Sequence, residues 1–296
     1  MIRKPDCGRC VLTWHAFEKR DGDQWMLSLC PPYYASLLSA LEPAISEKRV
    51  GGWRDSKTGR AAWAHMAGLS ADEVKSVNRF VEEFGQIVVL GLNPNIRTHF
   101  SDELDWCAAL DHNFVSARDH TRTVVGELVY RAKYMSRGVS RKARAAVWSL
   151  AERLSMLACR LSPLFGESSI CLSYVPPKPD KQFDLPSELA RIVSGMLNES
   201  TTFDRRVDLV HSKLMLDKPM FKTLTFPSKI DEWERLVSSG SLSLSRPVRG
   251  RAVVVIDDLY QSGATLWSYA RFLKSVGAET VIGLVCEKSL RDTDNL

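Results

Sequence analysis

Residues 253–266 read VVVIDDLYQSGATL. The apolar run at the start has no polar alternation, which is typical of a strand buried on both faces of a parallel sheet. The run ends at two adjacent carboxylates, Asp257 and Asp258. Small and polar residues at 261–264 then predict a tight loop, and the apolar spacing that follows predicts a helix over Thr265–Val276. The stretch therefore predicts a strand, a loop and a helix of an α/β fold.

The loop has the chemistry of a phosphate-binding site. Its small residues let the backbone approach a ligand closely, and the new helix offers unpaired N–H groups and a positive dipole end. The residues expected to bind phosphate, called the phosphate loop below, are Gln261, Ser262, Gly263, Ala264 and Thr265. The aspartates would repel an anion, so we expect them to face sugar hydroxyls or a developing positive charge. The ligand predicted is one that carries both a phosphate and a sugar.

Strands and helices alternate on both sides of this stretch as well. Periodicity predicts helices over 124–135, 142–161 and 186–198 and strands over 86–90, 169–175, 207–210 and 280–286. Further upstream, Ser70 and Glu73 form the pattern of a capping box, which predicts a helix that ends at Gly85. The alternation predicts right-handed βαβ units and a parallel sheet.

Residues 253–266 resemble the signature of the type I phosphoribosyltransferases, in which an apolar strand and two acids precede a run of hydroxyl and small residues. The residues that match this signature are Asp257, Asp258, Ser262, Gly263, Ala264 and Thr265. Gln261 departs from it, because Thr or Ser is usual there. The resemblance implies an α/β, parallel-sheet type I phosphoribosyltransferase fold behind a small amino-terminal region that could bind zinc.

Two upstream segments resemble the ComF-like (competence protein F-like) branch of that family. Residues 129–134, VYRAKY, are similar to its Lys-Tyr helix. The segment YVPPKP is similar to its proline-rich loop, which implies that Pro176, Pro177 and Lys178 contact pyrophosphate. At 181–184 the sequence KQFD stands where the branch usually has an Arg-Gly-Phe-Asn-type stretch, so the aromatic residue is kept and the arginine is absent.

The resemblance implies 5-phosphoribosyl 1-pyrophosphate (PRPP), or a related ribose phosphate, as the ligand, bound with Mg²⁺. The expected activity is that of a glycosyltransferase of nucleotide metabolism: a nitrogen acceptor displaces pyrophosphate from ribose C1, and Asp257 and Asp258 are the catalytic residues. The alternative is a noncatalytic module that senses PRPP or a nucleotide in nucleic-acid-related processes such as DNA uptake. Nucleic acid or a nucleic-acid-handling protein is then an expected partner, and a homodimer is a further expectation.

The amino-terminal region contains a candidate zinc site. Cys7 and Cys10 form a CxxC pair, and Cys30 follows after nineteen intervening residues. The pattern is similar to the zinc finger that precedes the transferase domain in ComF-like proteins, but Tyr33 stands where the fourth cysteine would be. His15 could complete a tetrahedral Cys3His set, and buried free thiols are the alternative. We expect three parts: 1–50 with the zinc-finger-like region, 51–120 unassigned and of mixed α/β character, and 121–296 with the transferase-like domain.

Composition is that of an ordinary globular protein, with 45% hydrophobic and 25% charged residues, which excludes a collagen-like or wholly disordered chain. No apolar run is long enough to span a membrane, so we expect a cytoplasmic protein. The net charge of +5 permits anionic ligands. Seven cysteines, an odd number, argue against a disulfide framework.

Two further features carry open alternatives. The ten Lys and Arg residues of 118–160 could bind nucleic acid, but they are more typical of a solvated helix face. Asp111-His112 and Asp119-His120 have the composition of acid–base pairs, but no nucleophile turn accompanies them. For these pairs a surface or supporting role is the favoured interpretation.

Overall fold

The computed structural model of this 296-residue chain describes residues 5, 8–91, 94–101, 103–116, 118, 120–134, 140–179, 181–216 and 223–290, with the backbone alone at 94 and 95. The chain forms two compact units, Met1–Gly91 and Leu92–Leu296. The expected division into 1–50, 51–120 and 121–296 stays a prediction. Among the described residues, no helix combines the length and the apolar character that a membrane crossing needs.

The first unit contains a four-stranded antiparallel sheet. Its elements are β1 (Arg9–Cys10), β2 (Trp14–Lys19), β3 (Gln24–Cys30), α1 (Tyr33–Leu41), α2 (Pro43–Glu47), β4 (Arg49–Asp55), β5 (Ala62–Ala67), α3 (Ala71–Phe84) and β6 (Val88–Leu90). The strands of the sheet lie in the order β2-β3-β5-β4, and β1 pairs antiparallel with β6. Because β4 pairs with β5 and β5 with β3, residue 50 lies inside this sheet.

Helix α3 confirms the predicted capping box. The Ser70 hydroxyl accepts a hydrogen bond from the Glu73 N–H, and the Ser70 N–H donates to the Glu73 carboxylate at 2.7 Å. The apolar side chains that recur at helical spacing are buried, and Gly85 caps the end of the helix. Local sequence was sufficient here because both the cap and the periodicity act within one helix.

The second unit is built on a parallel sheet. Its elements are α4 (Pro94–His99), β7 (Trp106–His112), α5 (Val124–Tyr134), α6 (Arg141–Arg160), a 3₁₀ turn (Ser162–Phe165), β8 (Ile170–Tyr174), α7 (Leu185–Glu199), β9 (Val207–Leu209), β10 (Ser212–Leu214), α8 (Phe226–Ser238), β11 (Leu242–Leu244), β12 (Ala252–Tyr260), α9 (Ala264–Ser275) and β13 (Thr280–Lys288). Five strands lie in the order β7-β13-β12-β8-β9, and all four pairings are parallel. The predicted α/β class with a parallel sheet is confirmed. Strands β10 and β11 form a separate antiparallel pair.

Strand β12 is longer than its apolar run predicts. The sequence places its end near Ile256, but the strand continues to Tyr260. The reason is its neighbour β13, which still pairs Leu259 with Glu287 and Tyr260 with Lys288. The two predicted carboxylates therefore lie on the last residues of a paired strand, at the carboxyl edge of the sheet, which is where open α/β folds bind ligands.

Candidate functional site

A pocket of about 640 Å³ lies at the carboxyl ends of β8 and β12. Its walls come from the end of β12, the start of α9, the loop after β8, the start of α7 and side chains of α5 and α8. Every residue expected to act in phosphoribosyl transfer lines this pocket: Pro176, Pro177, Lys178, Asp257, Asp258, Gln261, Ser262, Gly263, Ala264 and Thr265. The structure thus brings together segments that are about 80 residues apart in sequence.

The turn between β12 and α9 requires glycine. Gly263 has φ +92°, a left-handed conformation that disfavours every residue with a Cβ atom. A Cβ atom built there would overlap the Tyr260 hydroxyl and would lie 2.8 Å from Cδ1 of Ile96. The Trp267 indole N–H donates to the same Tyr260 hydroxyl at 3.0 Å. Two aromatic side chains, those of Tyr260 and Trp267, therefore support the turn.

The first residues of α9 present their backbone to the pocket. The helix begins at Ala264, and the Trp267 N–H donates to the Gly263 carbonyl at 2.9 Å to close its first turn. The N–H groups that precede this bond have no acceptor within the helix, and the helix dipole adds partial positive charge there. The Ser262 side chain is buried beside them, 3.4 Å from the Ala264 nitrogen. This arrangement fits a phosphate group.

Lys288 supports the phosphate loop and was not found by sequence analysis. Its side chain is 1% exposed, although lysine is almost never fully buried without partners. The Lys288 ammonium donates to the Gln261 carbonyl at 3.1 Å and to the Ser289 carbonyl at 2.7 Å. A positive charge therefore lies directly against the loop. The only sequence signal was a lysine that ends an apolar strand, which is equally typical of an exposed residue.

The two carboxylates are connected to α5. The Asp258 N–H donates to Oδ1 of Asp257 at 2.9 Å, and Nζ of Lys133 lies 2.7 Å from Oδ2 of Asp258. Burial lowers the pKa of Lys133, but the neighbouring carboxylates, Asp258 first among them, raise it above its ordinary value. In the sequence, Lys133 belongs to the Lys-Tyr helix and to the basic stretch, and neither pattern gives it a role. The structure turns it into the pocket.

A third acid lies on the neighbouring strand β13. Glu287 is 9% exposed and is paired in register with Leu259 on one side and with Asp111 on the other. Burial raises the pKa of Glu287 to about 7; the Lys133 cation opposes this shift and the Asp258 carboxylate adds to it. Glu287 is therefore expected to change its charge near neutral pH.

The lysines that line the pocket outnumber its aspartates. The lining contains four lysines and three aspartates: Lys133, Lys178, Lys181, Lys229, Asp184, Asp257 and Asp258. Nζ of Lys181 lies 2.7 Å from Asp184, which also accepts a hydrogen bond from the Ser187 N–H and so caps α7. A pocket with this lining and a helix N-terminus suits a ligand with several negative charges.

The predicted zinc set gains no support. Cys7 lies outside the described residues, and within them no group of three or more His, Cys, Asp or Glu side chains could hold a metal ion. Cys10 is buried in β1, His15 is exposed on β2, and the Cys30 thiol donates to the Arg60 carbonyl at 3.0 Å. The Cys3His set stays a prediction.

The remaining candidates lie away from the pocket. Arg141, Lys142 and Arg144 are exposed on α6, and Trp148 on the same helix is 52% exposed. Their binding to nucleic acid stays a prediction. Asp111 is half-buried at the end of β7, where burial raises its pKa. Asp119, from the second predicted acid–base pair, lies outside the described residues.

Comparison with known proteins gave structural neighbours only. The sequence matches no family model and no curated protein. One similar solved structure is a hypoxanthine phosphoribosyltransferase from Staphylococcus aureus, with 11% identity and a TM-score of 0.29 over 49% of this chain and 74% of that chain. Another is the hypoxanthine phosphoribosyltransferase from Trypanosoma cruzi, with 11% identity and a TM-score of 0.31 over 51% of this chain and 71% of that chain. A third is the HGPRT-ase from Leishmania tarentolae in complex with GMP, with 15% identity and a TM-score of 0.29 over 48% of this chain and 65% of that chain. Each likeness covers about half of this chain.

Substituting Gly263 with alanine should damage the phosphate loop. We expect Gly263→Ala to lower the free energy of unfolding by about 1–3 kcal/mol, because it adds a Cβ to a left-handed residue, and to abolish phosphate binding. Chemical denaturation and calorimetric titration with inorganic phosphate measure the two effects. Gly277→Ala is the matched control, since Gly277 has φ +98° but lies outside the pocket. Equal phosphate affinity in the two variants would contradict the assignment.

Substituting Lys288 with methionine should loosen the same loop. Lys288→Met leaves the half-buried carbonyls of Gln261 and Ser289 without this donor, so we expect a loss of about 1–3 kcal/mol in unfolding free energy. Lys142→Met, at an exposed lysine of α6, should stay within about 0.5 kcal/mol of the wild type. Denaturation curves that coincide for all three proteins would exclude a supporting role for Lys288.

The raised pKa of Glu287 predicts how stability depends on pH. An acid whose pKa rises on folding, here from 4.5 to about 7, is favoured in its neutral form by the folded state. Its contribution to stability is therefore complete below pH 4.5, decreases by about 1.4 kcal/mol for each step of one in pH up to about 7, and is lost above that. Glu287→Gln should remove this decrease, whereas Glu152→Gln, at an exposed acid of α6, should keep it. Urea denaturation at pH 5 and pH 8 measures the difference.

Proposed function

We propose that this protein binds PRPP and transfers its phosphoribosyl group to a nitrogen acceptor, with release of pyrophosphate. The observation that carries the proposal is the position of two carboxylates near the end of β12 and, three residues later, a phosphate loop that requires glycine, all within one pocket. The resemblance of this stretch to the type I phosphoribosyltransferase signature supports the same conclusion. Membership of the ComF-like branch is part of the proposal and depends on the Lys-Tyr helix and the proline-rich loop.

Each part of PRPP has a matching wall of the pocket. The 5-phosphate would accept hydrogen bonds from backbone N–H groups and hydroxyls of residues 262–265 at the start of α9. The ribose hydroxyls would donate to Asp257 and Asp258. The pyrophosphate would lie along Pro176, Pro177 and Lys178, where the lysine supplies a positive charge.

The same residues can stabilise the transition state. Departure of pyrophosphate from ribose C1 leaves positive charge on the sugar ring, and the fixed negative charge of Asp257 and Asp258 favours that charge at no cost of reorganisation. Anchoring of the remote 5-phosphate orients C1 toward the acceptor. Carboxylate oxygens at the pocket wall also fit Mg²⁺, which prefers oxygen ligands and would be held mainly by PRPP phosphates. When bound, Mg²⁺ neutralises the charge of the leaving pyrophosphate.

A noncatalytic PRPP or nucleotide sensor is the second candidate. Two observations favour it: Gln261 supplies no hydroxyl to the phosphate loop, and Lys133 already contacts one of the two carboxylates. A sensor would bind PRPP without turnover and would change its affinity for a nucleic acid or protein partner. An enzyme would release pyrophosphate when the acceptor is present.

Calorimetric titration of the full chain with PRPP and Mg²⁺, followed by pyrophosphate release over a panel of nucleobases, separates these candidates. Saturable binding with release supports the transferase, and binding without release for any base supports the sensor. If neither PRPP nor ribose 5-phosphate binds, the proposed ligand is wrong.

Removal of either catalytic charge should slow the reaction. We expect Asp257→Asn and Asp258→Asn each to lower the rate of pyrophosphate release about 100-fold or more, because the fixed charge opposite the developing cation is lost. Asp204→Asn, at an exposed acid after α7, serves as the control with unchanged rate. Rates within twofold of the wild type in both active-site variants would exclude the assigned roles.

A further inference from the structure

A buried lysine from α8 forms part of the pocket wall. Lys229 is 5% exposed, and it lines the pocket together with residues 263–266 at the turn into α9. Lysine is seldom buried to this extent, because burial removes its ammonium group from water. The walls assigned above to PRPP are the phosphate loop, the two carboxylates and the proline-rich loop, and Lys229 belongs to none of them. The part of a ligand that it would meet follows from its position in the fold.

The packing of α8 against α9 places Lys229 beside the phosphate loop. The rings of Trp233 on α8 and Tyr269 on α9 are in contact, with 6.3 Å between their centroids. Lys229 lies four residues before Trp233, and Thr265 lies four residues before Tyr269, which is about one helical turn in each case. Lys229 and Thr265 both line the pocket. The amino-terminal turns of the two helices therefore lie side by side there, and Lys229 is a neighbour of the first turn of α9.

The phosphate loop lacks one donor that the resemblance leads us to expect. Gln261 stands where the type I phosphoribosyltransferase signature has Thr or Ser, so the loop has one hydroxyl fewer. Lys288, the other buried lysine at this loop, donates to the carbonyls of Gln261 and Ser289. Lys229 belongs to the pocket wall instead, where an ammonium group can donate to a phosphate oxygen. A charge-assisted hydrogen bond of this kind is stronger than one from a neutral hydroxyl.

We propose that Lys229 binds the 5-phosphate group of the sugar phosphate, beside the N–H groups at the start of α9, and takes the place of the hydroxyl that Gln261 does not supply. The inference rests on the proposed function, because that function places the 5-phosphate at residues 262–265. Its consequence is that two lysines bind opposite ends of PRPP. Lys229 serves the phosphate on ribose C5, and Lys178 serves the pyrophosphate on ribose C1.

Calorimetric titration of the full chain with two ligands tests this assignment: ribose 5-phosphate, which has no pyrophosphate, and PRPP with Mg²⁺. Lys229→Met should weaken the binding of both ligands by the same factor, about tenfold or more, because both carry the 5-phosphate. Lys178→Met should weaken the binding of PRPP much more than that of ribose 5-phosphate. Lys213→Met, at an exposed lysine of β10, is the control and should change neither affinity.

Further variants separate a contact with the phosphate from an effect on folding. Lys229→Arg keeps the positive charge and should retain more affinity for ribose 5-phosphate than Lys229→Met does. Gln261→Thr supplies the hydroxyl that is usual in the signature, so it should recover part of the affinity that Lys229→Met loses. A purely structural role of Lys229 would not be compensated by this hydroxyl. Chemical denaturation without ligand checks that each variant folds, and Lys229→Gln is a second neutral variant should Lys229→Met fold poorly.

The outcomes separate this inference from the proposed function. If the wild type binds neither PRPP nor ribose 5-phosphate, the proposed function is wrong and the inference falls with it. If the wild type binds ribose 5-phosphate and a folded Lys229→Met variant binds it with an affinity within twofold, only the role of Lys229 is excluded. A loss of affinity for PRPP without a loss for ribose 5-phosphate would place Lys229 at the pyrophosphate and would overturn the inference.

Discussion

The site depends on one backbone turn, in which Gly263 takes a left-handed conformation over the Tyr260 hydroxyl. Strand β12 ends at Tyr260, at the carboxyl edge of the sheet, and helix α9 begins four residues later at Ala264. The indole N–H of Trp267 bonds to Tyr260 and so ties the last residue of β12 to the first turn of α9. These two side chains hold the turn in place, and the start of α9 therefore lines the pocket.

The charges around this turn are arranged in contacts that offset the cost of burial. Lys288 donates to the carbonyls of Gln261 and Ser289, and Lys133 contacts Asp258. A buried charge without such partners would be strongly destabilising. The raised pKa of Glu287 favours its neutral form, which avoids part of the cost of burying another negative charge. The pocket is therefore an electrostatically coupled unit, in which any bound anion changes the balance among these groups.

Local signals predicted α5, α6, β8, α7, β9, α9 and β13 closely, because caps and apolar periodicity act within each element, but they did not predict α4, β7, β10, α8 or β11. Helix α9 was expected over Thr265–Val276 and spans Ala264–Ser275. The end of β12 was not predicted, because it depends on the pairing of this strand with β13.

The sequence by itself determined the phosphate loop, the two aspartates and the α/β class, because strand, loop and helix follow one another within fourteen residues and each has a local signature. Lys178 was expected from the sequence, but the tertiary structure decided which other basic residues serve the pocket. Of the ten Lys and Arg residues in 118–160, Lys133 contacts Asp258, and Lys288 at the far end of the chain holds the loop. A lysine looks the same in sequence whether it faces water or a carboxylate; the packing of α5 and β13 around the end of β12 makes that difference.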